Sequence, residues 1–247
     1  MKKTRYSGNK YLERIRLRTN EGNTFRAVSR FVAEFRDVQE SLADLAAKLG
    51  VVQIVEQKLP FEGGIFASSA GPVIKLNSLS AQTRKRFTLA HELAHLIVSP
   101  NTANSARRCL KSSDLETACD FVAAELLMSE EAMRNSIERR ASIESLLSLT
   151  SQFGVSLQAA AVRVKDLGLW NESIGMWRWD QTAKELWWVG RRYWIDYQPP
   201  FVAFERAAQT HSVVTTSEFY SDFRGTHATS LQVKKLGHNY LVGLVTG

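Results

Sequence analysis

The sequence predicts an α+β fold: a helical domain built on a small β-sheet, then a helical module, then a smaller β-rich C-terminal domain. Three observations lead there. Between residues 24 and 167 the apolar residues recur mostly at helical spacing, interrupted by three short strand-like runs. At Gly168 the character changes to short alternating or β-branched runs punctuated by Gly and Pro, and all six tryptophans fall between Trp170 and Trp194. Residues 91–95 read His-Glu-Leu-Ala-His inside a stretch, 83–98, whose pattern suits a helix. At 247 residues and 44% hydrophobic the chain can bury a real core in one or two domains. The expected boundaries are a basic arm over 1–23, the helical domain with its sheet over 24–140, the helical module over 141–169 and the β-rich domain over 170–247.

The first twenty residues carry Lys2, Lys3, Arg5, Lys10, Arg14, Arg16 and Arg18 against Glu13 alone, so most of the chain's formal charge of +7 sits there. Such an arm suits contact with nucleic acid or an acidic partner, and Tyr6 and Tyr11 are of a type that stacks on bases. No nucleic-acid motif accompanies them, and a solvated start is the plainer reading. Two amphipathic helices follow. Phe25, Val28, Phe31, Val32 and Phe35 form the stripe of the first, over 24–35; Leu42, Leu45, Ala46 and Leu49 form that of the second, over 41–49, which Gly50 ends.

Strands are expected over 51–56, 64–68 and 73–76, the last two joined through Ser69-Ala70-Gly71-Pro72. Either 73–76 or 64–68 is of a kind to align an extended substrate by backbone pairing; the alternative is a purely structural sheet. Helices are expected over 80–98, 113–128, 130–139, 142–153 and 156–167. The last two meet at Gly154-Val155, with Ser156 as N-cap, a helix-turn-helix-like corner. As a DNA reader its second helix offers Gln158, Arg163 and Lys165; the alanines at 159–161 point instead to close helix packing.

Beyond Gly168 the strand-like runs are 174–179, 185–189, 201–204, 212–216, 231–235 and 240–245. A domain of this size needs large aromatics for its core. The tryptophans serve either as that core or as a docking surface, for which Trp187-Trp188 and Arg191-Arg192-Tyr193-Trp194 have the right composition.

The chemistry sits at residues 91–95. At 3.6 residues per turn His91 and His95 stack on one helix face, close enough to hold one metal ion, with Glu92 beside them to take a proton from a water on that metal. Zinc is the expected ion, and a catalytic zinc site needs a third protein ligand and an open position. The next helix opens with Ser113 or Asp114 as N-cap and carries Ala118, Phe121, Val122 and Leu126 at helical spacing. Its Glu116 and Asp120, one turn apart, ordinarily read as a solvated acidic face. Beside an H-E-x-x-H helix, Glu116 becomes the candidate third ligand and Asp120 the acceptor for the spare ring N–H of a bound histidine.

The run from Arg86 to Ile97, followed by Glu116, Asp120 and Ala-Ala-Glu-Leu-Leu-Met128, resembles the ImmA/IrrE metallopeptidases. Gly71-Pro-Val-Ile-Lys-Leu-Asn77 is similar to the strand preceding the active-site helix there, and Phe153-Gly-Val-Ser156 to the start of that family's helical module. The resemblance spans about Leu42 to Leu169. It implies a zincin-like peptidase domain with zinc on His91, His95 and Glu116, Glu92 as catalytic base, and a protein substrate of the helix-turn-helix repressor class, whose cleavage or inactivation switches on stress or mobile-element genes. The chain departs from that pattern at Ser129, where Pro is typical, and at Cys119 and Val122, where Ala and Phe are frequent. Some relatives carry a C-terminal sensor domain, but no residue here names a ligand.

Composition bounds the rest. No apolar run approaches a membrane span and no signal peptide opens the chain. The two cysteines, Cys109 and Cys119, have no C-x-x-C or zinc-finger spacing, which suits a reduced cytoplasmic setting, with Cys119 expected to pack within its helix. His211, Tyr220 and His227 are candidate oxyanion donors that no spacing selects. The reading that competes with an enzyme is a non-catalytic, zinc-stabilised protein that binds a repressor or nucleic acid.

Overall fold

The computed structural model describes residues 30, 32–33, 40–98, 113–138, 140–170, 172–180, 185–188, 201–210, 212–216, 220–221, 227–228, 230–236 and 240–246. The basic arm over 1–23 and most of the helix expected over 24–35 lie outside them, although Arg30, Val32 and Ala33 are helical. Two compact units make up the chain: Met1–Met133 with Phe153–Ser156, and Arg134–Gln152 with Leu157–Gly247.

In the first unit, helix α1 (Leu42–Lys48) begins at a capping box. The Ser41 hydroxyl accepts from the Asp44 backbone N–H, and the Asp44 carboxylate accepts from that of Ser41. Gly50 follows the helix at φ 83°, a left-handed conformation that glycine adopts without steric cost. Strands β1 (Gln53–Gln57), β2 (Gly63–Ser68) and β3 (Gly71–Asn77) form a sheet in the order β1-β3-β2. β3 runs parallel to β1 and antiparallel to β2, its hairpin partner.

This order corrects one expectation. Residues 73–76 lie in the central strand, paired on both edges and with Ile74 and Leu76 in the core, so they have no free backbone to offer an extended peptide. Residues 64–68 fall in β2, an edge strand of the described sheet.

Helix α2 (Gln82–Val98) follows β3 through a turn held by Asn77. Its Oδ1 accepts from the backbone N–H groups of Leu59 and Leu79, while its own N–H donates to the Glu62 carbonyl. Lys85, buried at the start of α2, donates to Glu56 on β1 at 2.6 Å. Near that level β2 approaches α2 closely: a Cβ on Gly63 would stand 2.6 Å from the Thr88 methyl and 2.8 Å from the Lys75 carbonyl oxygen. Only a residue without a side chain fits there, and the edge strand is thereby held against the helix one turn before His91.

Helix α3 (Ser113–Leu127) packs on α2. Leu45, Ile74, Ala90, Leu93, Ala94, Ile97, Val122, Ala123 and Leu126 are almost wholly buried and form the core of this unit. Ala90 and Ala94, which neighbour the two histidines, are small enough to let a partner helix come close.

Helix α4 (Glu130–Ser136) is followed in the second unit by α5 (Ile143–Phe153) and α6 (Leu157–Asp166). Strands β4 (Ser173–Asp180) and β5 (Glu185–Trp188), helix α7 (Phe201–Thr210), and strands β6 (Val214–Thr216), β7 (Tyr220–Ser221), β8 (His227–Ala228), β9 (Ser230–Leu236) and β10 (Tyr240–Thr246) complete it. Five strands form an antiparallel sheet in the order β5-β4-β10-β9-β6; β7 and β8 pair separately. Both stretches divided at 170 in the sequence contribute to this unit, and the Ile143 N–H of α5 donates to the Gln232 side chain of β9.

The run 201–204, expected as a strand, is instead the first turn of α7. Four aromatic or small apolar residues in a row carry no period of their own. The following Glu205-Arg206-Ala207-Ala208-Gln209 consists of good helix formers and decides the segment. Trp170 belongs to the core: it is buried, and its indole N–H donates to the Glu138 carbonyl at 3.0 Å. No helix among the described residues is long and apolar enough to cross a membrane.

Candidate metal centre

Helix geometry stacks His91 over His95 on α2 and Glu116 over Asp120 on α3, and the packing of the two helices turns these faces toward each other. The Nε2 atoms of His91 and His95 lie 3.2 Å apart. The Glu116 carboxylate sits 3.3 Å from His91 Nε2 through one oxygen and 3.7 Å from His95 Nε2 through the other. Among the described residues these three side chains form a group that can hold a metal ion, with one donor atom from each within 4.8 Å of the others.

The donor set fits zinc. Bonds of about 2.0–2.2 Å to a tetrahedral ion require ligand atoms roughly 3.4 Å apart, and the separations here bracket that value. Two imidazoles and one carboxylate would make three protein ligands and leave a fourth position open. The close approach of the two Nε2 atoms makes the same point. With the ring protons on the outer nitrogens, two lone pairs face each other there, an arrangement that a cation or a proton between them relieves.

The ring nitrogens turned away from this point have their own partners. His91 Nδ1 is 2.9 Å from Asp120 Oδ1. An ionised carboxylate only accepts hydrogen bonds, so it places the ring proton on Nδ1 and leaves Nε2 with its lone pair. His95 Nδ1 is 3.4 Å from the Cys119 Sγ. The sequence marks Cys119 as a packing residue; the structure adds its contact with His95. Its signal was present nonetheless: Cys119 stands three residues after Glu116, on the face of α3 that meets α2.

The electrostatics divide the cluster. Burial alone would lower the His91 pKa, but the hydrogen bond and charge of Asp120, with the charges of Glu92 and Glu116, outweigh it and raise the value above ordinary. His95 is lowered, chiefly by burial and then by the neighbouring His91, against the pull of Glu116 and Asp120. Burial raises the Glu92 carboxyl to about 6, with His91 opposing and Glu116 adding. A carboxylate tuned toward neutrality beside a metal-ligand cluster is suited to proton transfer at working pH.

Tyr220 and His227 lie in the β7–β8 pair of the second unit, and His211 is outside the described residues. In the helix-turn-helix-like pair, Arg163 is 1% exposed and Lys165 donates to the carbonyls of Trp170 and Glu172. Neither presents a free cation for DNA on the described surface of α6. The turn between these helices carries Gly154 at φ 61°, and Arg86 of α2 lies against it, 3.8 Å from where a Cβ would stand.

The sequence model of the family described as the IrrE N-terminal-like domain, a peptidase family, matches residues 39–165, which include both helices of the cluster. Among solved structures, a Mycobacterium tuberculosis transcriptional regulator is similar, with a TM-score of 0.55 and 18% identity over 90% of this chain and 86% of that one. At that identity the likeness bears on the fold alone. No curated protein matches the sequence.

Proposed function

The chain belongs to the IrrE N-terminal-like peptidase family, and from that premise we propose that it is a zinc-dependent, site-specific endopeptidase acting in the cytoplasm on a protein substrate, a helix-turn-helix transcriptional repressor. The observation that carries this reading is the convergence of His91, His95 and Glu116 within 4.8 Å, with Glu92 beside them. His91, His95 and Glu116 are the metal ligands and Asp120 orients the His91 ring. A bound zinc ion supplies the Lewis acid that polarises the scissile carbonyl and lowers the pKa of water. Glu92 takes the proton from the attacking water and passes it to the leaving amine, for which a pKa near 6 suits both halves of the task. The edge strand β2, held against α2 at Gly63, supports an extended substrate segment by backbone pairing beside the cluster. A loop or linker of the repressor, able to become extended, is the kind of segment such pairing requires.

The test is metal content. The purified wild-type protein is expected to hold about one zinc per chain by elemental mass spectrometry, and His95→Ala and Glu116→Ala are each expected to lose it. The zinc-loaded protein should then cleave its repressor at one bond and leave casein intact. A wild-type protein that takes up no zinc would sink the peptidase reading, and broad casein hydrolysis would remove the specific-substrate part.

A further inference from the structure

The two histidines of the cluster are supported unequally. His91 has the Asp120 carboxylate at its outer nitrogen, whereas His95 has a neutral sulfur, Cys119 Sγ at 3.4 Å. We propose that Cys119 is a positioning residue for His95, its sulfur accepting the Nδ1–H so that the Nε2 lone pair is held toward the metal. This inference rests on the metal reading above.

The geometry leaves the His95 ring little choice. Its Nε2 faces His91 Nε2 at 3.2 Å and Glu116 at 3.7 Å, so Nδ1 is the nitrogen turned away from the cluster. A ring that offers a lone pair at Nε2 carries its proton at Nδ1, and the sulfur is in hydrogen-bonding range of that proton. Cys119 is fully buried and His95 is 9% exposed, so bulk water is a poor substitute for the sulfur there. The sulfur lies beyond the far side of the imidazole from Nε2, and Cys119 is not in the group of side chains whose donor atoms converge. It therefore acts through His95 rather than as a ligand.

A thiol is a weak acceptor, well below a carboxylate. His95 is accordingly oriented without being made as basic as His91. In place of two carboxylate-backed histidines the site has one strong and one mild donor. Loss of the sulfur should cost less than loss of Asp120, toward the lower end of the range seen when partners of metal-bound histidines are removed.

The experiment measures zinc affinity on the full-length protein, by competition with a chromogenic chelator, for wild type, Cys119→Ala and Cys119→Ser. Two spectroscopic readouts accompany it: the electronic spectrum of the cobalt-substituted protein, and ¹⁵N-histidine NMR of the zinc form. Cys119→Ala is expected to weaken zinc binding about tenfold, and Cys119→Ser, which keeps an acceptor, to recover most of it. The NMR spectrum should show His95 as the Nδ1–H tautomer, and the cobalt spectrum should lack a thiolate charge-transfer band. If Cys119→Ala binds zinc as tightly as wild type, or Cys119→Ser is no better than Cys119→Ala, the sulfur only fills space and the proposal falls while the metal site stands. A thiolate-to-cobalt band would make Cys119 a ligand and overturn the proposal equally. Should Cys119→Ala fail to fold, the serine variant and the wild-type tautomer still decide. A wild-type protein that binds no zinc removes the metal reading itself, an outcome distinct from the others.

Discussion

Two helix pairs in this protein carry polar residues that point away from bulk solvent, and they use them in opposite ways. Between α2 and α3, side chains that compete for the same point converge: two imidazole Nε2 atoms and a carboxylate meet, with the Glu116 side chain 38% exposed. On α6, by contrast, the cations are drawn inward. Arg163 is buried, and Lys165 has its ammonium on two backbone carbonyls, with burial lowering its pKa. A cation buried or held by backbone carbonyls is turned to the fold, whereas metal-ligand-type side chains that converge on one point are turned to a ligand. The first pair therefore has the physical character of a site and the second that of a scaffold, although the second has the sequence outline of a DNA-binding corner.

Four measurements break or sharpen this contrast. The largest effect is expected for Glu92→Gln. It removes the proton carrier and leaves the three ligands, so cleavage should fall by about 10²–10⁴-fold while zinc content stays at the wild-type level. Retained cleavage in that variant would refute the mechanism. Next is Arg163→Ala. If this arginine is scaffold, its truncation should destabilise the protein by about 2–4 kcal/mol in a denaturant titration. A DNA-reading arginine would instead leave stability unchanged and weaken salt-dependent DNA binding, and that result would erase the contrast.

Asp120→Ala should then weaken zinc binding by about 10–100-fold without moving the ligands. An unchanged affinity would mean that the 2.9 Å contact does not orient His91. The smallest effect concerns stability in the metal-free protein. The folded-state pKa of Glu92 lies above the ordinary carboxylate value, so the folded state pays for ionising it near neutral pH. That penalty is relieved as pH falls through about 6 toward the ordinary range. Glu92→Gln carries no such penalty. It should be more stable than wild type by about 1–2 kcal/mol near pH 7, and the advantage should shrink as the pH is lowered. An advantage independent of pH would show that burial of the charge is not its cause.

What the sequence could show by itself was local. Helical periodicity put His91 over His95 and Glu116 over Asp120, because residues four apart share a face whatever surrounds them. The helix over 41–49 with its glycine end at Gly50 and the change of character after Gly168 were legible for the same reason: each depends on a few neighbouring residues. The rest depended on residues far apart in the chain. Strand order made β2 rather than β3 the edge, and no pattern within 73–76 distinguishes a central strand from an edge strand buried on the same face. The run 201–204 took its conformation from the helix formers that follow it. Arg163 and Cys119 have the same residue type buried or exposed. Only the docking of α3 on α2 placed the sulfur at His95, and only tertiary packing buried the Arg163 side chain. Periodicity determines which side chains share a face, and tertiary packing determines what that face meets, because contact across a core depends on the relative position of elements that the local sequence does not encode.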